Sequence, residues 1–335
     1  MTKIAIQDLK ELCTKALLKT GLSQEDVDIT VDHYMENECS GKPSHGMVRV
    51  VEGIKFIHEK GLPPKEGITL AVDNGSIAVL DATMQLGTVA GHRAMEEASK
   101  RAKKHGMAFI GVRNYFISTG SMAYYLRKLA EQNLIAIIGC NSVGLVAAPA
   151  GKERVLGTNP LGMGFPSKDG NHFIGDIATS SIALGKVMVM KDQGKEVPKG
   201  HLIDEDGNPS TNPDDAFFGT PGAILPLGNY HGFSIALMIA LLGGSLIGAK
   251  DIKMDIYDSD GFFMMVFDPE AFGQGSMSTL VQNTLDQIRN GTPAPGNDSV
   301  GVPGDRSAKI LKDTLERGIV NVADKTLEKI QELAA

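Results

Sequence analysis

The sequence predicts an α/β protein: a central α/β lobe beside a discontinuous α-helical lobe drawn from both chain ends. Three observations carry this. Strand-like and helix-like segments alternate from about Gly75 onward. The first seventy residues instead place apolar residues at helical spacing. After the strand-like FFMMVFD the chain returns to helices. The expected boundaries are 1–72 and 276–335 for the helical lobe and 73–275 for the α/β lobe. With 335 residues, 42% of them hydrophobic, the chain can bury cores of this size.

Taken in order, Ile6, Leu9, Leu12, Cys13, Ala16 and Leu17 mark a first helix, and Gly21 stops it. Ser23 caps a second, with Asp26 three residues on in an S-x-x-D pattern close to a capping box. That helix runs towards Glu38 and delivers the chain to GKPSHG. Met47, Val50, Val51 and Ile54 mark a third, ended by GLPP. SIAVLD, MAFIGVRN and LIAIIGCN then read as strands, separated by the helices GTVAGHRAMEEASKRAKKHG and SMAYYLRKLAEQ. A Gly/Pro-rich stretch from Gly144 to Pro166 follows, then a short strand ending at GDIATS and a hairpin-like turn at DEDGNP. An apolar helix, the strand FFMMVFD and two or three helices complete the chain, with Gly291 to Asp305 as the segment richest in flexible-loop residues.

Composition excludes several classes. A formal charge of -7 and scattered Lys and Arg give no surface for a phosphate backbone, so no nucleic-acid partner is expected. Cys13, Cys39 and Cys140 are odd in number and widely spaced, which fits a reducing cytoplasm and neither a disulfide framework nor a CxxC metal site. The opening MTKIAIQDLKELCTKALL spreads its charges along an amphipathic period and reads as a helix of the fold rather than a secretory signal. Gly232 to Ala249 is uncharged and reaches the lower limit for a membrane span. Its four glycines and two serines, and the lack of a second such segment, favour a helix buried in the core or at a subunit interface, with no membrane partner.

Candidate chemistry concentrates in a few places. His45 can exchange a proton near neutral pH, and Arg49, four residues on, can pair bidentately with a carboxylate. If a helix begins by His45, the two share a face. The same stretch also reads as a helix capped by Ser44, with an incidental His and a solvated Arg. GTNPLGMGFP and GDIATSSIALGK read as loops of small polar residues that either approach an anion or simply turn. The G-x-G-x-x-G dinucleotide fingerprint and G-x-S-x-G are both missing, and the eight histidines form no H-x-x-x-H pair, so no metal is expected.

Several of these segments together resemble the malate/L-lactate dehydrogenase family that lacks the Rossmann fold, a group that includes ureidoglycolate dehydrogenase, sulfolactate dehydrogenase, diketogulonate reductase and piperideine-2-carboxylate reductase. The likeness runs through SHGMVR, VLGTNPLGMGFP, DIATSSIALGK, DEDGNPSTNP, LPLGNYHGFSIALMIALLGGSLIGA and VGVPGDR, in the expected order. It implies a non-Rossmann, mixed-sheet NAD(P)-binding lobe, a helical lobe from both termini, and a homodimer with its site between subunits. It also implies NAD or NADP and reduction of a 2-oxo acid, or its imine, to the 2-hydroxy or amino acid.

Carried over residue by residue, His45 is the proton donor, Ser44 and Arg49 contact substrate, and Thr158 and Asn159 form a pocket wall. Cofactor contacts fall at Ser142, at Gly175, Asp176, Ile177, Ala178 and Thr179, at Tyr230 and His231, and at Gly304, Asp305 and Arg306; Asp176 alternatively orients the proton donor. Three positions depart from the family. Ser118-Thr119-Gly120 replaces His-aromatic-Gly, so Ser118 stands among the substrate contacts where some members use a second histidine as the catalytic base. His231-Gly232 replaces Lys-Gly, which makes cofactor affinity pH-dependent by expectation. Ala150-Gly151 replaces Gly-Gly. The leading expectation is a 2-oxo/2-hydroxy acid oxidoreductase. A cyclic imino acid reductase comes second, since an iminium carbon needs less acid assistance, and a non-catalytic binding or interaction protein on the same fold is the competing class.

Overall fold

The computed structural model describes residues 1–64, 67–217, 219–249 and 261–335. Strand β1 (Thr2–Ala5) pairs antiparallel with β14 (Ile319–Val322), so the two ends of the chain meet in one two-stranded sheet. Around it pack α1 (Ile6–Leu18), α2 (Gln24–Cys39), α3 (Val48–Lys60) and α10 (Asp324–Ala334). Leu9, Val27, Ile54, Val320 and Ile330 lie in one buried cluster, which is the discontinuous helical lobe. Each such side chain contributes on the order of 1.5–3 kcal/mol when fully buried. The Ser23 cap is present: its Oγ accepts from the Asp26 N–H at 3.1 Å.

The second layer is a seven-stranded mixed sheet. It uses β2 (Thr69–Asn74), β3 (Ile77–Asp81), β4 (Met107–Arg113), β5 (Ile135–Cys140), β8 (Leu161–Phe165), β9 (Phe173–Ile177) and β13 (Phe262–Phe267), in the order β2-β3-β4-β13-β5-β8-β9. β3 and β4 run parallel and the other pairs are antiparallel. β13 enters from far along the sequence and lies between β4 and β5, where Phe262, Met264 and Val266 face the same core as Ala136 and Ile138. The helices α4 (Gly87–His105) and α5 (Met122–Ala130) cover that face. α7 (Tyr230–Gly243) covers the other, where Ile239 meets Gly139.

The Gly144 to Pro166 stretch is more regular than its composition suggested: it contains β6 (Val146–Ala147), β7 (Arg154–Leu156) and β8, while the short strand expected to end at GDIATS is β9. The glycines of β8 serve close packing rather than turning. A Cβ on Gly162 would stand 2.9 Å from Met122 Cβ, and one on Gly164 3.1 Å from Leu126 Cβ, both on α5. β6 and β7 join β10 (Leu202–Ile203), β11 (Pro209–Ser210) and β12 (Ala223–Ile224) in a small sheet ordered β11-β10-β12-β6-β7 beside α6 (Leu184–Asp192), with the DEDGNP hairpin joining β10 to β11. Three helices lie in the C-terminal segment: α8 (Met277–Arg289), α9 (Asp305–Arg317) and α10.

α7 and the turn after it, Tyr230–Ile247, are apolar and long enough to span a membrane by composition. In the fold α7 lies against the sheet with Ala236, Ile239 and Ala240 buried, while Leu237, Met238 and Leu241 point outward. It is therefore a half-buried helix, with one face in the core and one left open.

The departure at Ala150 falls on a strained backbone. Ala150 has φ +61°, the left-handed region in which a Cβ is penalised and glycine is not. Replacing Ala150 by Gly is expected to raise stability by about 0.5–1 kcal/mol, read as a higher urea midpoint with an unchanged slope.

Candidate functional site

His45 is presented by a turn rather than a helix. α2 ends at Cys39, Gly41 takes φ +77°, and Pro43–His45 form one 3-10 turn. Gly46 (φ -102°, ψ -135°) then leaves helical geometry, and α3 starts only at Val48. The shared helix face expected for His45 and Arg49 is therefore replaced by a direct bond: Arg49 Nε donates to the Ser44 carbonyl at 2.8 Å, and Nη1 pairs with Glu52 at 2.6 Å. Ser44 is not a helix cap. Its Oγ lies 3.0 Å from His45 Nδ1, and its Cβ packs close to Gly185 on α6.

Asp176 stands on β9, paired in register with Gly162. Its Oδ2 accepts from Ser121 Oγ (2.9 Å) and the Ala123 N–H (3.3 Å), and pairs with Lys42 Nζ at 3.4 Å. Lys42 also donates to Ser121 Oγ at 3.1 Å. The carboxylate thus sits at the N-terminus of α5, where the helix dipole favours an anion, and Lys42 ties it to the His45 turn.

The same charges act on His45. Burial pushes its pKa down to about 4, the Arg49 guanidinium adds to the fall, Asp176 opposes it, and Lys42 adds a smaller decrease. At neutral pH the imidazole is uncharged and able to accept a proton. Lys42 and Ser121 were not singled out in the sequence. Lys42 stands inside GKPSHG, but its partners lie 79 and 134 residues away, and no local spacing announces them.

Ser118 Oγ accepts from the Gly120 N–H at 3.0 Å and so closes its own turn. A different histidine lies behind that turn. His33, from α2, accepts the Ser121 N–H through Nε2 at 3.1 Å and packs among Tyr34, Tyr124 and Tyr125. Burial holds its pKa well below the usual range, so it is neutral and Nδ1 carries the proton. A Cβ on Gly120 would overlap the ring.

The other expected residues fall into two groups along β9. Beyond its C-terminal end, Ser142 Oγ lies 3.3 Å from Thr158 Oγ1, and the Thr179 N–H donates to the Thr158 carbonyl at 3.0 Å. Asn159, fully buried at φ +23°, accepts the Ser142 N–H at 3.0 Å and donates to the Ala236 carbonyl at 3.0 Å, so its amide is spent on the fold. The Leu227 N–H donates to the Thr179 carbonyl at 2.9 Å, which brings the start of α7, with exposed Tyr230 and His231, to this end. His231 Nδ1 lies 2.9 Å from the Gly228 carbonyl. Ile177 and Ala178 link this cluster to Asp176, with Gly175 buried before it.

At the N-terminal end of β9, the Ile174 N–H donates to the Pro303 carbonyl, and Gly304 (φ +103°) packs on Ile174 as it opens α9. Asp305 pairs with Arg289 at 2.7 Å. Burial raises its pKa, but the Arg289 bonds and the Val302 N–H outweigh this and hold it below the usual carboxylate range. Arg306 is exposed and makes no hydrogen bond or ion pair among the described residues.

If Arg49 and Asp176 bias His45 in opposite directions, Arg49→Met should raise the His45 midpoint above about 4 and Asp176→Asn should lower it. Ring-proton NMR titration of each variant measures this.

A family profile described as malate/L-lactate dehydrogenase matches residues 4–331. L-sulfolactate dehydrogenase of Methanocaldococcus jannaschii is 33% identical, over 88% of this chain and 86% of its own length. Malate dehydrogenase of Pyrococcus horikoshii is 31% identical, over 96% of this chain and 91% of its own. The crystal structure of malate dehydrogenase from Entamoeba histolytica superposes with a TM-score of 0.92 at 25% identity, covering 99% of this chain and 97% of that one. With the mixed sheet, the two-ended helical lobe and the SHGMVR turn in place, these matches show that the chain belongs to the malate/L-lactate dehydrogenase family.

Proposed function

We propose that this protein is an NAD- or NADP-dependent oxidoreductase acting on a small 2-oxo/2-hydroxy acid. The observation that carries the reading is the turn itself, which sets a proton-exchanging imidazole beside a guanidinium and connects through Lys42 to a fixed carboxylate. Arg49 takes the substrate carboxylate, and His45 exchanges the proton with the substrate oxygen. Ser44 keeps the ring oriented through Nδ1, and Asp176 balances the positive surroundings.

The residues present fit a nicotinamide dinucleotide. Among the described residues Ser181 Oγ, in the DIATSS segment, is buried without a partner, and Arg306 offers an uncommitted cation. The starts of α7 and α9, both helices longer than three turns, lie next to β9 and favour phosphate. Ser142, Gly175 to Thr179, Tyr230, His231 and Gly304 to Arg306 would hold it, and it would supply or accept the hydride. In the free enzyme His45 is neutral, which suits removal of the hydroxyl proton in the oxidation direction. A bound 2-oxo acid carboxylate offsets Arg49 and raises the proton affinity of His45, so oxo-acid binding takes up a proton.

Ser118 supports a second reading, a cyclic imino acid reductase. Its hydroxyl, already closing the 118–120 turn, supplies no second titratable donor, and an iminium carbon needs less acid assistance than a ketone. The open outer face of α7, with Leu237, Met238 and Leu241 exposed, supports a homodimer in which a second copy covers it.

Nicotinamide absorbance, followed with NADH and NADPH against a panel of 2-oxo acids and cyclic imino acids, tests the function. Oxidation with a 2-oxo acid is the expected result, faster than with imines. Silence with folded protein would favour a non-catalytic role. His45→Ala should lower turnover by about 10² to 10⁴. For the wild type, kcat/KM for reduction should fall with rising pH above about 4, as protonated His45 is lost, while that for oxidation rises to a plateau.

A further inference from the structure

Glu38 lies next to the last residue of α2, and the chemistry proposed above does not use it. Its side chain is inside the helical lobe, 7% exposed, against the fully buried Met47. Among the described residues its carboxylate has one hydrogen bond: Oε2 accepts the Met47 N–H at 2.8 Å. Met47 is the N-cap position of α3 and has no side-chain cap, so this acceptor stands where a 13-residue helix favours an anion. Gly46 lies directly against the same oxygen. A Cβ there would overlap Oε2 and stand 3.0 Å from Cδ. The two residues that follow His45 are therefore both built onto the Glu38 carboxylate.

We infer that Glu38 is a positioning residue for the proton-transfer turn: its carboxylate clamps the Gly46–Met47 backbone and so fixes where the chain holds His45. The inference rests on the reading of His45 as the residue that exchanges the proton.

The choice of an acid here is costly. Burial pushes the Glu38 pKa up to about 7, and the Met47 N–H only partly offsets that rise. The cations of the turn are committed elsewhere, Arg49 to Ser44 and Glu52, Lys42 to Ser121 and Asp176. Two thiols feel Glu38, Cys13 from α1 and Cys39 from α2. Burial first, then Glu38, pushes them up to about 12 and about 11.

The folded pKa of Glu38 lies above its ordinary value, so its contribution to stability is present at acid pH and is lost as pH rises towards about 7. A glutamine would offer an acceptor without a buried charge. The ionised acid is nevertheless the stronger acceptor. The clamp is thus firm above neutral pH and relaxes on protonation, at the expense of stability in the firm state.

Hydrogen–deuterium exchange of the 43–48 peptide, corrected for intrinsic rates, tests this in wild type, Glu38→Gln and Glu38→Ala at pH 6 and pH 8, with turnover measured in parallel. In the wild type the peptide should exchange several-fold faster at pH 6, in Glu38→Gln this pH step should vanish, and in Glu38→Ala exchange should rise about tenfold at pH 8. Glu38→Gln should also raise Tm at pH 8 but not at pH 5. Exchange unaltered by Glu38→Ala, or a pH step that persists in Glu38→Gln, would overturn the clamp. A loosened turn with turnover intact would overturn the positioning role, whereas turnover unchanged in His45→Ala would overturn the reading of His45 on which it rests. If Glu38→Ala fails to fold, the wild-type and Glu38→Gln comparison decides alone.

Discussion

The placement of the candidate site depends on one antiparallel pairing, that of β8 with β9. Its register sets Gly162 opposite Asp176. Because side chains alternate along a strand, a slip of one residue would turn Asp176 to the other face, away from Ser121 and Lys42. The glycines of β8 share in this placement. By letting α5 settle against the sheet, Gly162 and Gly164 bring the helix N-terminus to the carboxylate, so a packing requirement becomes an electrostatic one.

A second constraint joins the two lobes. The His45 turn belongs to the helical lobe and Asp176 to the sheet, and Lys42 reaches from one to the other. At partial exposure such a pair adds on the order of 1 kcal/mol or less to stability. Its larger effect is on geometry and charge, since both partners act on His45. Packing of Leu86, Val89 and Phe116 into the helical-lobe core holds the same junction from the apolar side.

Much of the fold was legible because its signals are local. Ser23 with Asp26, the Gly106 stop at φ +86° and the apolar spacing of α1 and α3 all depend on neighbours a few residues away. β8 was harder to read, since a strand lined with glycine for close packing looks like a turn until its partner helix is known. In the site, His45, Arg49 and Asp176 could be named from the family resemblance. The bonds around them could not, because Lys42, Ser121 and His33 meet through tertiary contacts. The structure also replaces the expected helix geometry at His45 with a 3-10 turn, for which Gly46 is the cause.

The meeting of the chain ends has a consequence for how the protein is made. Leu9, Val27 and Ile54 are covered by Val320 and Ile330, residues synthesised long after them. The N-terminal helices must wait, with their apolar faces uncovered, while the α/β lobe between them is synthesised and can already fold. Contacts of such long sequence separation form slowly. The turn bearing His45 sits in this late-closing lobe, so the geometry of the candidate site is set only after the sheet lobe has emerged.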